Sequence, residues 1–505
     1  MLLLFHAAES RAAESPKDWS GRRQKVERPW KLPEKLRKVL QSFGAAFRRT
    51  DVDLYEWSFP VGSIQVFWSH SWHGDKYMKS LLLLLLYNGP AAAIAATISA
   101  LLMMCLQIAG FLPGLRRVGK SALDQGVTME FGPWCTATAG LVFLVVLLLG
   151  KPRSLIFLDQ VCINQKNPEQ KAKGIMSIGA FLKYSKQLLV VWDKTYAGRL
   201  WCLLELAAFL TSHEEPGKKV TIRPTAMAPC ILGFGVALWA STIHVILASE
   251  KIPADSLVVF LTRWFFFYIA ASYLREHYRN TESMLKELSD FTVQGAKCHC
   301  CNDGEACNSN VCDRAIMSRC LRMWYGSVDA FEATVRTRVR TMLYRQLGGV
   351  VFPYGWQVIV SSPILWGFAD TMAARGRIEN WKVAAILFSR GLTWCFFLFP
   401  LILQATLLSV KCLHRVQGCV WQDRLTNVVV AFLVSALFAF GLWTSSRIAD
   451  DVGSVLWICG SVILAGISWW ALRCQARHTA RMLDSIQKDD GNHGAAVVVG
   501  NPIPA

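Results

Sequence analysis

The sequence predicts a polytopic α-helical membrane protein of about eight transmembrane helices, carrying a small α/β domain built on a parallel sheet. Three observations predict it. The 505 residues are 53% hydrophobic and only 18% charged, with a mean hydropathy of +0.30, too apolar for a soluble chain that must wet its own surface. Apolar runs long enough to cross ~30 Å of hydrocarbon recur along the chain. Between them, residues 151–225 alternate short strand-like and helical patterns, which argues for parallel pairing.

Charge and cysteine usage narrow the class. Twenty Trp and 27 Phe suit a chain with rings at the headgroup boundary. The net charge of +18 would fit nucleic acid or anionic lipid; in a membrane chain it reads as positive-inside bias. The lipid bilayer is therefore the expected partner, and no nucleic acid is expected. The sixteen Cys do not read as a secreted framework, because Leu2 to Phe5 is too short for a signal-peptide core and is followed by Glu9 and Arg11. Most thiols should be reduced or buried.

Residues 1–60 are basic. Within them Leu36, Val39, Leu40, Phe43 and Phe47 recur at helical spacing opposite Lys35, Arg37 and Lys38, as in a helix lying on an anionic surface or packed on the α/β domain. Residues 61–80 hold the first part of that domain, with Ile64, Val66 and Trp68 on one face of a strand. Residues 81–150 read as a transmembrane hairpin: an apolar run from Leu81 to Leu112, broken by Tyr87-Asn88-Gly89-Pro90, a short loop with Arg116, Arg117 and Lys120, and a second run from Trp134 to Gly150. The remainder of the domain, 151–225, offers strands at Ser154 to Leu158 and Gln187 to Trp192, helices near Ile175 to Ser185 and Leu200 to Leu210, and a short strand near Lys219 to Ile222. Residues 226–274 form a second hairpin, 275–355 a Cys-rich and helical segment, 356–472 four further spans, and 473–505 a tail, unstructured after about Asp489.

An even number of crossings puts both termini on one side. The loops on that side carry most of the Lys and Arg, whereas Glu250 to Asp255 and Ser445 to Asp451 are short and nearly neutral. The termini and the α/β domain are thus expected in the cytosol.

Three stretches together resemble a TIR (Toll/interleukin-1 receptor/resistance) domain. Val66-Phe67-Trp68-Ser69-His70-Ser71-Trp72-His73-Gly74-Asp75 is similar to that family's first strand and following loop. Leu155-Ile156-Phe157-Leu158-Asp159-Gln160-Val161-Cys162-Ile163-Asn164-Gln165 is similar to its second strand and BB loop, and also to a stretch of the TIR-like fungal heterokaryon-incompatibility domains. Ser185, Leu188 to Asp193, Tyr196 and Trp201-Cys202-Leu203-Leu204-Glu205-Leu206 resemble strand C and the opening of the next helix. The resemblance covers about a quarter of the chain and implies a flavodoxin-like parallel sheet.

It also implies homotypic assembly with other TIR-like domains in signalling or defence, and NAD as a substrate. Glu205 would be the catalytic residue of an NAD hydrolase, stabilising positive charge as nicotinamide leaves. Ser69, Trp72, Asp75, Asp159 and Trp201 would bind substrate at the strand ends, where open parallel sheets take ligands. The alternative is that Glu205 serves only a scaffold helix. The sequence departs from the family in placing a membrane hairpin after the first strand.

Two further features complete the expectations. Cys298, Cys300, Cys301, Cys307 and Cys312, with His299, crowd into one polar loop as a candidate Zn site, with a reduced or lipidated cluster as the alternative. Arg263, His244 and Asp370 fall in or near predicted spans, close enough to the ends to snorkel; an intramembrane charge otherwise marks a transport path. A transporter or channel with a regulatory TIR-like domain is therefore the alternative function.

Overall fold

The computed structural model describes Tyr55, Ser58 and residues 61–118, 126–150, 154–247, 257–296, 313–349, 352–415, 419–448 and 451–493. The expected amphipathic helix before Thr50 and the cysteines Cys298, Cys300, Cys301, Cys307 and Cys312 lie outside them. Six strands are described: β1 (Ile64–His70), β2 (Leu115–Val118), β3 (Thr128–Phe131), β4 (Ile156–Leu158), β5 (Ser185–Trp192) and β6 (Val220–Pro224). β2 and β3 form a small antiparallel hairpin where the sequence offered only a loop. The other four make one parallel sheet in the order β4-β1-β5-β6. Phe67 stands opposite Phe157 on one side and Leu188 on the other, so two strands separated by the whole predicted hairpin are neighbours.

The near-continuous apolar runs of β1 and β5 reflect a sheet buried on both faces. On one face Phe67, Phe157, Leu188, Val190 and Ile222 pack under the helices Ile178–Lys183, Leu200–Ser212 and Asp313–Tyr325 and the helical stretch 328–347, which contains a π-turn at Val335–Val339. On the other, Trp68, Leu158, Leu189 and Val191 join Leu82, Leu83, Leu84 and Leu85 of the helix Lys76–Ile108 and the start of the helix Met227–Leu247 in one core. The sheet therefore sits directly on the ends of long apolar helices.

Among the described residues, five helical segments are long and apolar enough to cross a membrane: Lys76–Ile108, Met227–Leu247, Trp381–Leu413, Val420–Ser445 and Val452–Ala471. The first has 33 residues, or about 50 Å, well beyond a ~30 Å hydrocarbon core. Its surplus is the stretch that floors the sheet, and Trp68 Nε1 donates to Tyr87 Oη there at 2.9 Å. Further along, Ala96 and Ala100 let the helices Trp134–Leu149 and Tyr354–Gly376 approach closely. The last helix continues to His493, past the expected onset of an unstructured tail.

Buried charges hold helix ends together. Asp370 does not snorkel: it is fully buried and its carboxylate accepts from Cys135 N (2.7 Å), Thr136 N (3.0 Å) and Thr136 Oγ1 (2.7 Å), capping the Trp134–Leu149 helix from another helix. Asn88 donates to Leu147 O at the opposite end of that helix at 2.9 Å. Arg390 likewise serves Ser445 O and Ile448 O, and Arg117 of β2 donates to Ile246 O and Leu247 O. Helix ends in an apolar medium need such partners. Arg263 lies with its guanidinium 5.1 Å from the Phe438 ring centre, a cation–π contact, and His244 is half-buried.

Candidate functional site

Parallel strands deliver their following loops to one edge, so β1, β4 and β5 gather Ser71 to Asp75, Asp159 to Gln165 and Asp193 to Arg199 at their carboxyl ends. The chain runs outward in both directions from β1, leaving a crevice at that strand. A cleft lies there, with Trp72, Asp159, Lys171, Arg199 and Trp201 among its walls. Two indoles, one carboxylate and two basic side chains therefore share one hollow.

Asp159 begins a short helical turn directly after β4. Its Oδ2 accepts from Trp72 Nε1 at 2.7 Å and its Oδ1 from Gln160 N at 2.7 Å, with His70 Nδ1 3.9 Å from Oδ1. Burial raises its pKa to about 6, against the lowering effect of the Trp72 and Gln160 donors and of the Lys79 charge. His70 is held neutral, its pKa well below the usual value through burial and then the nearby Lys79 charge.

These shifts set a pH dependence. Because the folded state raises the Asp159 pKa, the stability linked to its proton is fully present below ~3.9 and is lost as pH rises through about 6. Burial of neutral His70 acts oppositely, its contribution falling away below the ordinary imidazole value. The difference between parent and Asp159→Asn isolates the carboxyl: the unfolding midpoint of the variant relative to the parent should climb between pH 4 and 7 and level off above. A constant difference across that range would show that Asp159 does not titrate within it.

Behind the cleft wall, Ser69 Oγ donates to Glu205 Oε2 at 2.6 Å and lies 2.7 Å from Tyr196 Oη, which donates to Cys202 O at 3.1 Å. Glu205 is 1% exposed. Burial, and then the charge of Asp159, push its pKa well above the carboxylate range, while the Ser69 hydroxyl pulls the other way. A protonated carboxyl hydrogen-bonded to serine follows. Burial also raises the Cys202 and Tyr196 pKa values, so neither is an ionised nucleophile here.

A third cluster fastens the rim. Lys79, in the first turns of the Lys76–Ile108 helix, is 2% exposed; its Nζ is 3.3 Å from Asp193 Oδ2 and donates to Ser71 O. Asp193 Oδ1 accepts from Thr195 N at 2.8 Å, and Thr195 Oγ1 donates to Ser71 Oγ at 2.7 Å. The loops on either side of the crevice are thus tied through one lysine. Gly74 is required there: a Cβ would fall 1.8 Å from Asp193 Oδ2.

Of the residues singled out from sequence, Trp72, Asp159 and Trp201 line the cleft. Ser69 and Glu205 meet each other but lie beneath it. Asp75 stays outside, capping the Lys76–Ile108 helix by accepting from Met78 N. Sequence reasoning missed Lys79, whose signal was a lysine opening an otherwise apolar helix, and gave no role to Tyr196 or His70. Among the described residues no group of His, Cys, Asp or Glu is arranged to hold a metal, and the cysteines are free thiols. Comparison with protein-family models, curated proteins and solved structures finds no match for this chain.

Proposed function

We propose that the chain is a multi-pass membrane protein presenting a TIR-like module in the cytosol, where it signals or acts in defence by homotypic assembly and takes NAD as ligand and substrate of the β1 cleft. The observation that carries this reading is the crevice itself. Taken by position in the sheet, the strands run second-first-third-fourth, as in flavodoxin-like sheets, whose ligands sit where the order reverses. The Trp201-to-Leu206 helix start lies beside that point, with the carboxyl of Glu205 one hydroxyl away from β1.

The eight-crossing topology belongs to the same proposal. Pairing of β1 with β4 supports it: paired strands share one side of a bilayer, so on this reading a chain that leaves by Lys76–Ile108 returns by Trp134–Leu149. That helix has 16 residues, or about 24 Å, and both its ends are served by side chains of neighbouring helices. Leu257–Ser289 and Tyr354–Gly376 complete the set. Asp370 and Arg390 serve helix ends, which speaks against transport as their task.

With Glu205 closed behind Ser69, turnover requires that hydroxyl to release the carboxyl, and we assign that release to assembly. Purified full-length protein in lipid nanodiscs should consume NAD and liberate nicotinamide. Glu205→Ala should lower the rate by at least ~100-fold, and the isosteric Glu205→Gln should do the same without loss of fold. NAD loss that survives both changes removes the assigned role. If neither NAD turnover nor self-association is seen while the protein conducts ions, the channel reading replaces this one.

A further inference from the structure

We infer that Cys412 and Cys419 are a paired S-acylation site, taking a long-chain fatty acyl group from an acyl-coenzyme A thioester. Both thiols are exposed and free. Cys412 lies in the last turn of the membrane helix Trp381–Leu413, and Cys419 is the N-cap of the next, Val420–Arg447, where its Sγ accepts from Gln422 N at 3.5 Å. They sit at the facing ends of two apolar helices consecutive in the chain.

The neighbours mark the depth of these thiols. Val420 is 67% and Trp421 76% exposed, and the Arg424 guanidinium stands 5.6 Å from the Trp421 ring centre. An exposed indole stacked with a cation beside an apolar helix is the chemistry of the headgroup layer. A thioester-linked chain grown from either sulfur can enter the hydrocarbon directly, whereas the water-soluble coenzyme approaches from the aqueous side. Juxtamembrane cysteines in that position are the usual acceptors.

These helix ends are also fixed on the same side as the sheet. Lys411 Nζ donates to Gly348 O at 2.6 Å, and the helix before Gly348 carries Gln346, which accepts from Ile222 N of β6 at 2.7 Å and donates to Val220 O at 2.8 Å. Buried Arg275 donates to Leu413 O, Asp423 O and Asn427 Oδ1, clamping both helix ends while both sulfurs stay exposed. Cys105 and Cys459 are exposed too. The first lies at the end of its helix remote from the sheet and the second inside the apolar stretch Val452–Ala471, so neither meets a coenzyme on this side.

In the reaction the cysteine thiolate attacks the thioester carbonyl, a new carbon–sulfur bond forms to the cysteine, and the bond to coenzyme A breaks. The coenzyme leaves as its thiolate and recovers the proton that the cysteine lost. The inference rests on the cytosolic sidedness proposed above only in that acyl-coenzyme A must reach this face.

The test is hydroxylamine-dependent thiol capture on the full-length chain from membranes of cells producing it, beside labelling of sealed vesicles with a membrane-impermeant maleimide. Capture of the parent chain, reduced in Cys412→Ser and in Cys419→Ser and lost in the double variant, is the expected result. Capture undiminished in the double variant places acylation elsewhere and overturns the inference. No capture from the parent, with both thiols reached from the cytosolic side, overturns it while leaving the sidedness intact. No capture, with the thiols reached only from the opposite side, overturns both.

Discussion

Lys79→Met should lower the unfolding free energy by about 3–5 kcal/mol, the cost of stranding one partner of a buried ion pair. Lys79 and Asp193 are both nearly inaccessible, so solvent cannot replace what is lost. Methionine preserves most of the lysine stem but leaves the Asp193 carboxylate without its cation and Ser71 O without its donor. Asp193 would keep only Thr195 as partner on its other oxygen. Lys79→Met combined with Asp193→Asn should recover a large part of the loss, because an apolar and neutral pair avoids the unpaired charge. Tryptophan fluorescence during denaturant unfolding of the detergent-solubilised chain reads both variants. A single-variant loss below ~1 kcal/mol, the range of an exposed pair, would mean that the pair does not hold the rim.

Asp370→Ala should cost about 3 kcal/mol or more, since each buried donor left without an acceptor costs ~1–3 kcal/mol and three donors converge on this carboxylate. The site lies among packed helices, where water is not at hand to take over. Asp370→Asn keeps one acceptor oxygen and should lose less. Thermal melts in a fixed detergent, with Phe368→Ala as a nearby control that touches none of these bonds, distinguish cap loss from cavity formation. Equal melting of Asp370→Ala and the parent would show that the Trp134–Leu149 helix does not depend on its cap.

The two cases also explain what could be read from the chain and what could not. Ser63 to Ser71, Ser154 to Leu158 and Gln187 to Trp192 announce strands by composition, and the structure places them as neighbours. The run from Leu81 to Leu86 is equally apolar whether it faces lipid or a sheet, so a domain edge drawn at residue 80 cuts through a helix that starts at Lys76 and floors the strands. Asp370 looked like a charge to be expelled because the amides it serves lie 234 and 235 positions away in the chain. Such long-range satisfaction leaves no local pattern.

The cleft shows the same division. Trp72, Asp159 and Trp201 follow from strand ends in an open parallel sheet. Spacing alone could place Glu205 near that edge, but whether it is presented or covered depends on the Ser69 rotamer and on Tyr196, which arrive from separate elements. Asp75 caps the Lys76–Ile108 helix, a role that a loop aspartate before a helix takes as readily as ligand binding and that spacing does not distinguish.

The Lys76–Ile108 helix is shared by the α/β unit and the helix bundle. Its first turns are bonded to Trp68 and Ser71 and its later ones wedged by alanines among bundle helices, with Gly89 and Pro90 between the two halves. Proline removes one backbone hydrogen bond there and marks a flexure point, so a tilt imposed on the alanine half by bilayer thickness or lateral pressure is taken up in part by bending at that joint before it displaces the Ser71 carbonyl.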